Sequence, residues 1–209
     1  KRLAFSRCSP MLGPASVIAY AEARGITGFD AERALKACVT TATNRNYDGL
    51  GSYMDKGYVP EDRNGSSVSK TLEYSYDDRC IAELAQRLGH ADIAATFNAR
   101  SMNYRNVFDT ISHFMRPRLD DGSFRPRFDP LSTSDNGFVE GNAWNYSFYV
   151  PHEPADLVRL LGGKKRFGEH LDSLFTMQLA DKYFAETEDI TRDGIIGNYV
   201  HGNEPSHHI

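Results

Sequence analysis

The sequence predicts an all-α fold of helical hairpins joined by long polar loops. Two observations carry this expectation. Apolar residues recur at three- and four-residue steps through most of the chain, the spacing of one helix face. Between those segments lie stretches rich in Gly, Pro, Asn and Asp with no period, the composition of turns. Such hairpins can stack as a ring, with the loops of one end forming a site, or as an irregular bundle. The periodicity fits both.

The elements follow in order. Ser16 to Arg24 and Asp30 to Thr41 read as helices split by Gly25-Ile26-Thr27-Gly28. Asp30 is placed to cap the second, whose inner face is Ala31, Leu35, Cys38 and Val39. Tyr47 to Gly65 is a glycine-rich loop holding a short helical piece. Ser67 to Leu88 has Val68, Leu72, Tyr76, Cys80, Leu84 and Leu88 on one stripe, with Gly89 closing it. His90-Ala91-Asp92 then opens a helix running to about Phe108, and the short link makes the pair an antiparallel hairpin. Phe114 to Phe138, with three prolines and two glycines, is a long irregular loop with short strands expected near Phe124 and Phe128. Helical signals return at Asn142 to Tyr149, Glu153 to Leu161 and Lys165 to Met177. Asp193 to Ile209 begins as a loop and enters a helix after Pro205.

The chain has 209 residues, 40% apolar and 25% charged, enough for one large domain or two small ones. Its net charge of −4 is spread in mixed signs, which gives no reason to propose nucleic acid or an anionic membrane as partner. No apolar run approaches the ~20 residues that span a bilayer. Cys8, Cys38 and Cys80 form neither a disulfide framework nor a zinc ribbon, and Cys80 reads as a buried thiol. The chain opens at Lys1 without Met or a leader and stops after a dense polar motif, so it is expected to be an internal piece of a longer polypeptide.

Three segments could carry chemistry. Glu140-Gly141-Asn142-Ala143-Trp144-Asn145 puts a carboxylate at the end of a loop and in front of a helix. The helix start favours its charged form; apolar walls from Phe138 and Trp144 favour the neutral form that a general acid needs. The plainer reading is a helix-start carboxylate beside a core aromatic. His201-Gly202-Asn203-Glu204-Pro205-Ser206-His207-His208 concentrates imidazole and oxygen donors without the HExxH spacing of a zinc helix. Asn203 and Glu204 suit a hard cation such as Ca²⁺, and a capped helix start is the alternative. Glu73 and Asp77 lie one turn apart on a helix face, where like charges call for a cation, an arginine or solvent.

These segments, in this order, resemble the glycoside hydrolase family 92 α-mannosidases. The matching stretches are Gly57-Tyr58-Val59-Pro60, Ser67 to Tyr74 with Asp77-Asp78, Asn103-Tyr104-Arg105-Asn106, Phe114-Met115-Arg116-Pro117-Arg118, Phe128-Asp129-Pro130 and Glu140 to Trp144. They continue through Val150-Pro151-His152, Leu161-Gly162-Gly163, Leu171 to Phe175 and Tyr199 to His208. The likeness runs from about Tyr47 onward; the first 45 residues are only generically similar.

The resemblance implies an exo-acting, inverting, Ca²⁺-dependent α-mannosidase. Its parts would be an N-terminal β-sandwich and a C-terminal (α/α)6 barrel, with this chain a segment of the barrel. Glu140 then corresponds to the general acid. Asn203 and Glu204, with Asn142 or Asn145 nearby, become metal ligands, and Trp144, Asn142, His201 and Glu73 face the substrate. Asn145 departs from the family, where Gln is commoner. The substrate would be a mannose-containing oligosaccharide or glycoprotein glycan, met outside the cytoplasm.

The family's general base belongs to a Gly-Asn-Asp-type motif beyond the His-His segment, and this sequence has none. The chain alone is therefore expected to be inactive without the rest of the parent polypeptide. A non-catalytic helical module binding glycan or protein is the alternative of a different class. An α/α-barrel lyase using Tyr199, His201 and Asn142 is a third reading, and it lacks the basic patch a polyuronate needs.

Overall fold

The computed structural model describes residues 13–133, 136–183, 194–202, 206 and 209. Eight helices are found among them. They are α1 (Pro14–Ala23), α2 (Ala31–Ala42), α3 (Leu50–Lys56), α4 (Ser67–Arg87), α5 (Ala91–Arg100), α6 (Ala143–Tyr146), α7 (Pro154–Leu160) and α8 (Lys164–Thr176). Two small antiparallel ribbons join them, β1 (Phe108–Asp109) with β2 (Phe114–Met115) and β3 (Ile195–Ile196) with β4 (Tyr199–Val200). No helix among the described residues is long and apolar enough to cross a membrane.

α1, α2 and α4 lie where the periodicity put them, and α3 is the short helical piece expected in the glycine-rich loop. Pro14 stands in the first turn of α1, where its missing N–H costs nothing. Asp30 caps α2 by accepting the Arg33 N–H at 2.9 Å. α4 is the hub. Its C-terminal half packs Cys80, Ile81, Leu84 and Ala85 with α1, α2 and α5. Its N-terminal half sends Val68 and Leu72 into a second core with Tyr104, Met115, Phe138, Tyr146, Phe148 and Leu174. Tyr76, partly buried, touches both.

Four expectations need correction. The helix expected to reach Phe108 ends at Arg100, because the buried Ser101 carbonyl accepts His152 Nε2 at 3.0 Å instead of continuing the ladder. The chain then tightens into a 3-10 turn over Asn103–Val107. The Asn142 to Tyr149 helix is a single turn, since the Ser147 hydroxyl turns to the Met115 N–H at 2.8 Å and the chain leaves as Phe148-Tyr149-Val150. Among the described residues the long loop has no strand at Phe128; past β2, an isolated bridge pairs Arg118 with Phe124. Cation–π contacts order that loop instead: Arg116 lies over Phe124 and Phe128, and Arg118 over Tyr58 and Phe124. Finally, the segment expected to be loop before His201 is the β3–β4 hairpin. The helix expected after Pro205 lies outside the described residues.

Candidate functional site

The site is built where the N-terminus of α4 meets the segment leading into α6. A helix start leaves its first N–H groups without intrahelical partners. In α4 those of Val68 and Ser69 donate to the Gly137 carbonyl, at 2.9 and 3.3 Å. The Ser69 hydroxyl then accepts the Val139 N–H at 3.0 Å, and the Val139 carbonyl accepts from Tyr146 Oη at 2.6 Å. Val139 is thus clamped between two helices, and Glu140 is the next residue. Glu140 is half-buried and adopts a left-handed backbone, with φ of 54°. For a residue with a side chain this costs on the order of 1–3 kcal/mol, offset by the clamp on Val139 before it.

Two residues on, Asn142 and Asn145 form a capping box at the start of α6. Asn142 Oδ1 accepts the N–H groups of Trp144 and Asn145, at 3.0 and 3.4 Å, and Asn145 Oδ1 accepts the Asn142 N–H at 3.3 Å. Both amides are 2% exposed. They also reach across to the turn of the β3–β4 hairpin. Asn142 exchanges side-chain hydrogen bonds with Asn198, and Asn145 Nδ2 donates to the Asn198 carbonyl at 2.8 Å. The same hairpin carries His201, which is exposed and has its Nδ1 2.8 Å from Tyr199 Oη.

Trp144 is half-buried in an aromatic cluster. Its ring stacks on His170 with centroids 4.3 Å apart and meets the edge of Phe114 at 5.0 Å. Burial, with the nearby His113, pushes the His170 imidazole down to about 4, so the stack holds a neutral ring.

Glu73 lies inside the molecule, one helical turn from Ser69. It is 3% exposed, and neither carboxyl oxygen has a hydrogen-bond partner among the described residues. Burial, then the charge of Asp77, raises its pKa far above the usual carboxylate range; Glu140 adds to the same effect. The neutral form of the Glu73 carboxyl is therefore favoured by its surroundings. Asp77, one turn further along, is pushed up to about 7 by burial and by Asp78.

The fold therefore gathers Glu140, Asn142, Trp144 and Asn145 on one short segment. It ties that segment to the strand preceding His201 and sets Glu73 behind it. Asn203 and Glu204 lie outside the described residues. Among the described residues no group of three His, Cys, Asp or Glu side chains could hold a metal ion. Ser69, Tyr146, His170 and Asn198 also build the site, and sequence reasoning passed over all four. A signal existed for Asn198: Gly197-Asn198 between Ile195-Ile196 and Tyr199-Val200 is a two-residue hairpin turn flanked by strand formers.

The molecule is similar to solved α-mannosidases. A family GH92 α-mannosidase from Bacteroides thetaiotaomicron superposes with a TM-score of 0.84 at 42% identity, over 92% of this chain and 25% of that one. An inverting GH92 mannosidase from the same organism gives 0.78 at 33% identity, over 91% of this chain and 27% of its own. An uncharacterized secreted glycosidase of Arthroderma benhamiae is 31% identical over an alignment 156 residues long, covering 60% of this chain and 20% of the relative. The chain thus spans about a quarter of the solved structures it resembles and a fifth of that curated relative. The sequence model of the Glycosyl hydrolase family 92 catalytic domain matches residues 10–209, and the chain belongs to that family.

Proposed function

We propose that this chain is part of the (α/α)6 catalytic barrel of an inverting exo-α-mannosidase, with Glu140 as the general acid. The supporting observation is the clamped, left-handed Glu140. A carboxyl that must protonate a leaving oxygen has to be aimed, and a strained backbone held by Ser69 and Tyr146 aims it. In the reaction Glu140 donates its proton to the glycosidic oxygen as the bond to the anomeric carbon breaks. Water attacks the opposite face, activated by a second carboxylate ~6.5–9.5 Å away, the separation an inverting site requires. We assign that base to a Gly-Asn-Asp-type motif that this sequence does not contain. Trp144 and His201 are proposed to line the sugar, and the substrate to be a terminal α-mannoside of a glycan met outside the cytoplasm. The mannosidase relatives support the substrate class, and the secreted relative supports the compartment.

Calcium is proposed as the cofactor, at Asn203 and Glu204. The described residues do not themselves fit it: both Asn142 and Asn145 amides are engaged within the protein, and Asn145 Oδ1 already accepts a backbone N–H. No step is assigned to the ion.

Glu140→Gln in the full-length protein tests the acid. Release of mannose from an unactivated α-mannoside should fall at least ~100-fold, the lower range for general acid catalysis. An activated aryl mannoside, whose leaving group needs little protonation, should lose much less. Equal losses on both substrates, or none, would refute the assignment. Chelation followed by calcium return should abolish and restore activity; turnover unchanged in excess chelator would remove calcium from the proposal.

A further inference from the structure

The segment holding Glu140 and the hairpin holding His201 are far apart in sequence and are joined through one residue, Asn198. Asn198 is 3% exposed. Its Nδ2 donates to Asn142 Oδ1 at 3.1 Å, and its Oδ1 accepts from Asn142 Nδ2 at 3.3 Å. Its carbonyl accepts from Asn145 Nδ2 at 2.8 Å, and its N–H donates to the Leu174 carbonyl at 2.7 Å. All four polar groups of the residue are engaged, and three of the four bonds run to the pair of amides that start α6.

The turn itself has little room to drift. Gly197, with φ of 66°, lies flat on the end of α8, and a Cβ there would collide with the Leu174 carbonyl and the Phe175 backbone. Asn198 is thus fixed from below by α8 and bonded sideways to the residues two and five positions beyond Glu140.

We infer that Asn198 is a positioning residue of the proposed hydrolytic site, holding the Glu140 segment in register with the strand that leads to His201. It does not touch substrate. The inference rests on the reading of Glu140 as the acid. Its physical basis is the steepness of catalysis in geometry: a misplacement of about 1 Å between reacting groups costs on the order of 100-fold in rate. Two segments meeting through a reciprocal amide pair are held more closely than that only while both bonds persist. Loss of the pair should leave sugar binding close to normal and misaim the proton donor.

The test uses the full-length protein, with kcat and KM measured on an unactivated α-mannoside and normalised to folded enzyme by circular dichroism. Asn198→Ala is expected to lower kcat 10- to 100-fold with KM changed less than threefold. Asn198→Asp, which keeps the shape but sets a carboxylate oxygen against Asn142 Oδ1, is expected to do the same, and it carries the test if the alanine variant does not fold. Asn142→Ala combined with Asn198→Ala should lose no more kcat than the worse single variant, because both remove one joint. An unchanged kcat per folded molecule in both Asn198 variants would overturn the inference, as would losses that multiply in the double variant. Activity retained by Glu140→Gln would sink the acid reading instead, and the two failures are distinguishable.

Discussion

Glu73 and Glu140 show how one residue type takes different characters in one site. Glu140 is half-buried on a strained, clamped backbone. Glu73 is sealed inside with both oxygens unpartnered and its charged form disfavoured by burial. A carboxyl whose folded pKa is raised costs the fold stability that grows as pH rises above the ordinary value near 4.5. Glu73→Gln removes the titration and keeps the shape, so it should raise stability at pH 7.5. The gain should vanish at pH 4, where the native carboxyl is protonated in both states. Urea denaturation at the two pH values reads this directly, and destabilisation at pH 7.5 would show that a cationic group satisfies Glu73. The sequence placed Glu73 and Asp77 on one helix face, and that was correct. Their burial was not legible, because helix periodicity reports spacing, and the segments that cover this face come from elsewhere in the chain.

At the scale of elements, what was legible depended on length. α2 and α4 are long enough for apolar spacing and caps to agree, and both stand within a residue or two of expectation. The short elements escaped. α6 is one turn held by its own capping box, and β3–β4 is two residues on either strand, so neither carries a period. The hairpin owes its existence to Gly197 at a left-handed position and to the contact of that glycine with the end of α8. Gly197→Ala combines a backbone penalty with a clash against fixed main chain, and should destabilise the protein by about 1–3 kcal/mol. Activity should fall with it, because the turn carries Asn198. A thermal midpoint equal to that of the native protein would mean the hairpin does not depend on this packing.

For the molecule as a whole, α4 joins two cores, and the titratable groups buried around it pull stability in opposite directions with pH. Asp77 has its folded pKa raised to about 7 against 3.8. Its contribution is fully present below pH 3.8 and is lost as pH rises through 7. His170 is the reverse: its folded pKa is lowered to about 4 against 6.5. The stability of its neutral form is present above 6.5 and lost as pH falls toward 4. His152, also lowered by burial, acts in the same sense. Between pH 6.5 and 4 the two kinds of group oppose one another at about 1.4 kcal/mol per pH unit each. Single substitutions separate them. Relative to the native protein, Asp77→Asn should become progressively less stable as pH falls from 7 to 5, by roughly 2–3 kcal/mol. His170→Phe should become progressively more stable as pH falls from 6.5 to 5, by about 2 kcal/mol. Comparing each variant with the native full-length protein at the same pH cancels every group outside this chain. Denaturation at pH 7, 6 and 5 supplies the comparison. Differences that stay flat across that range would mean that burial around α4 does not set these charges.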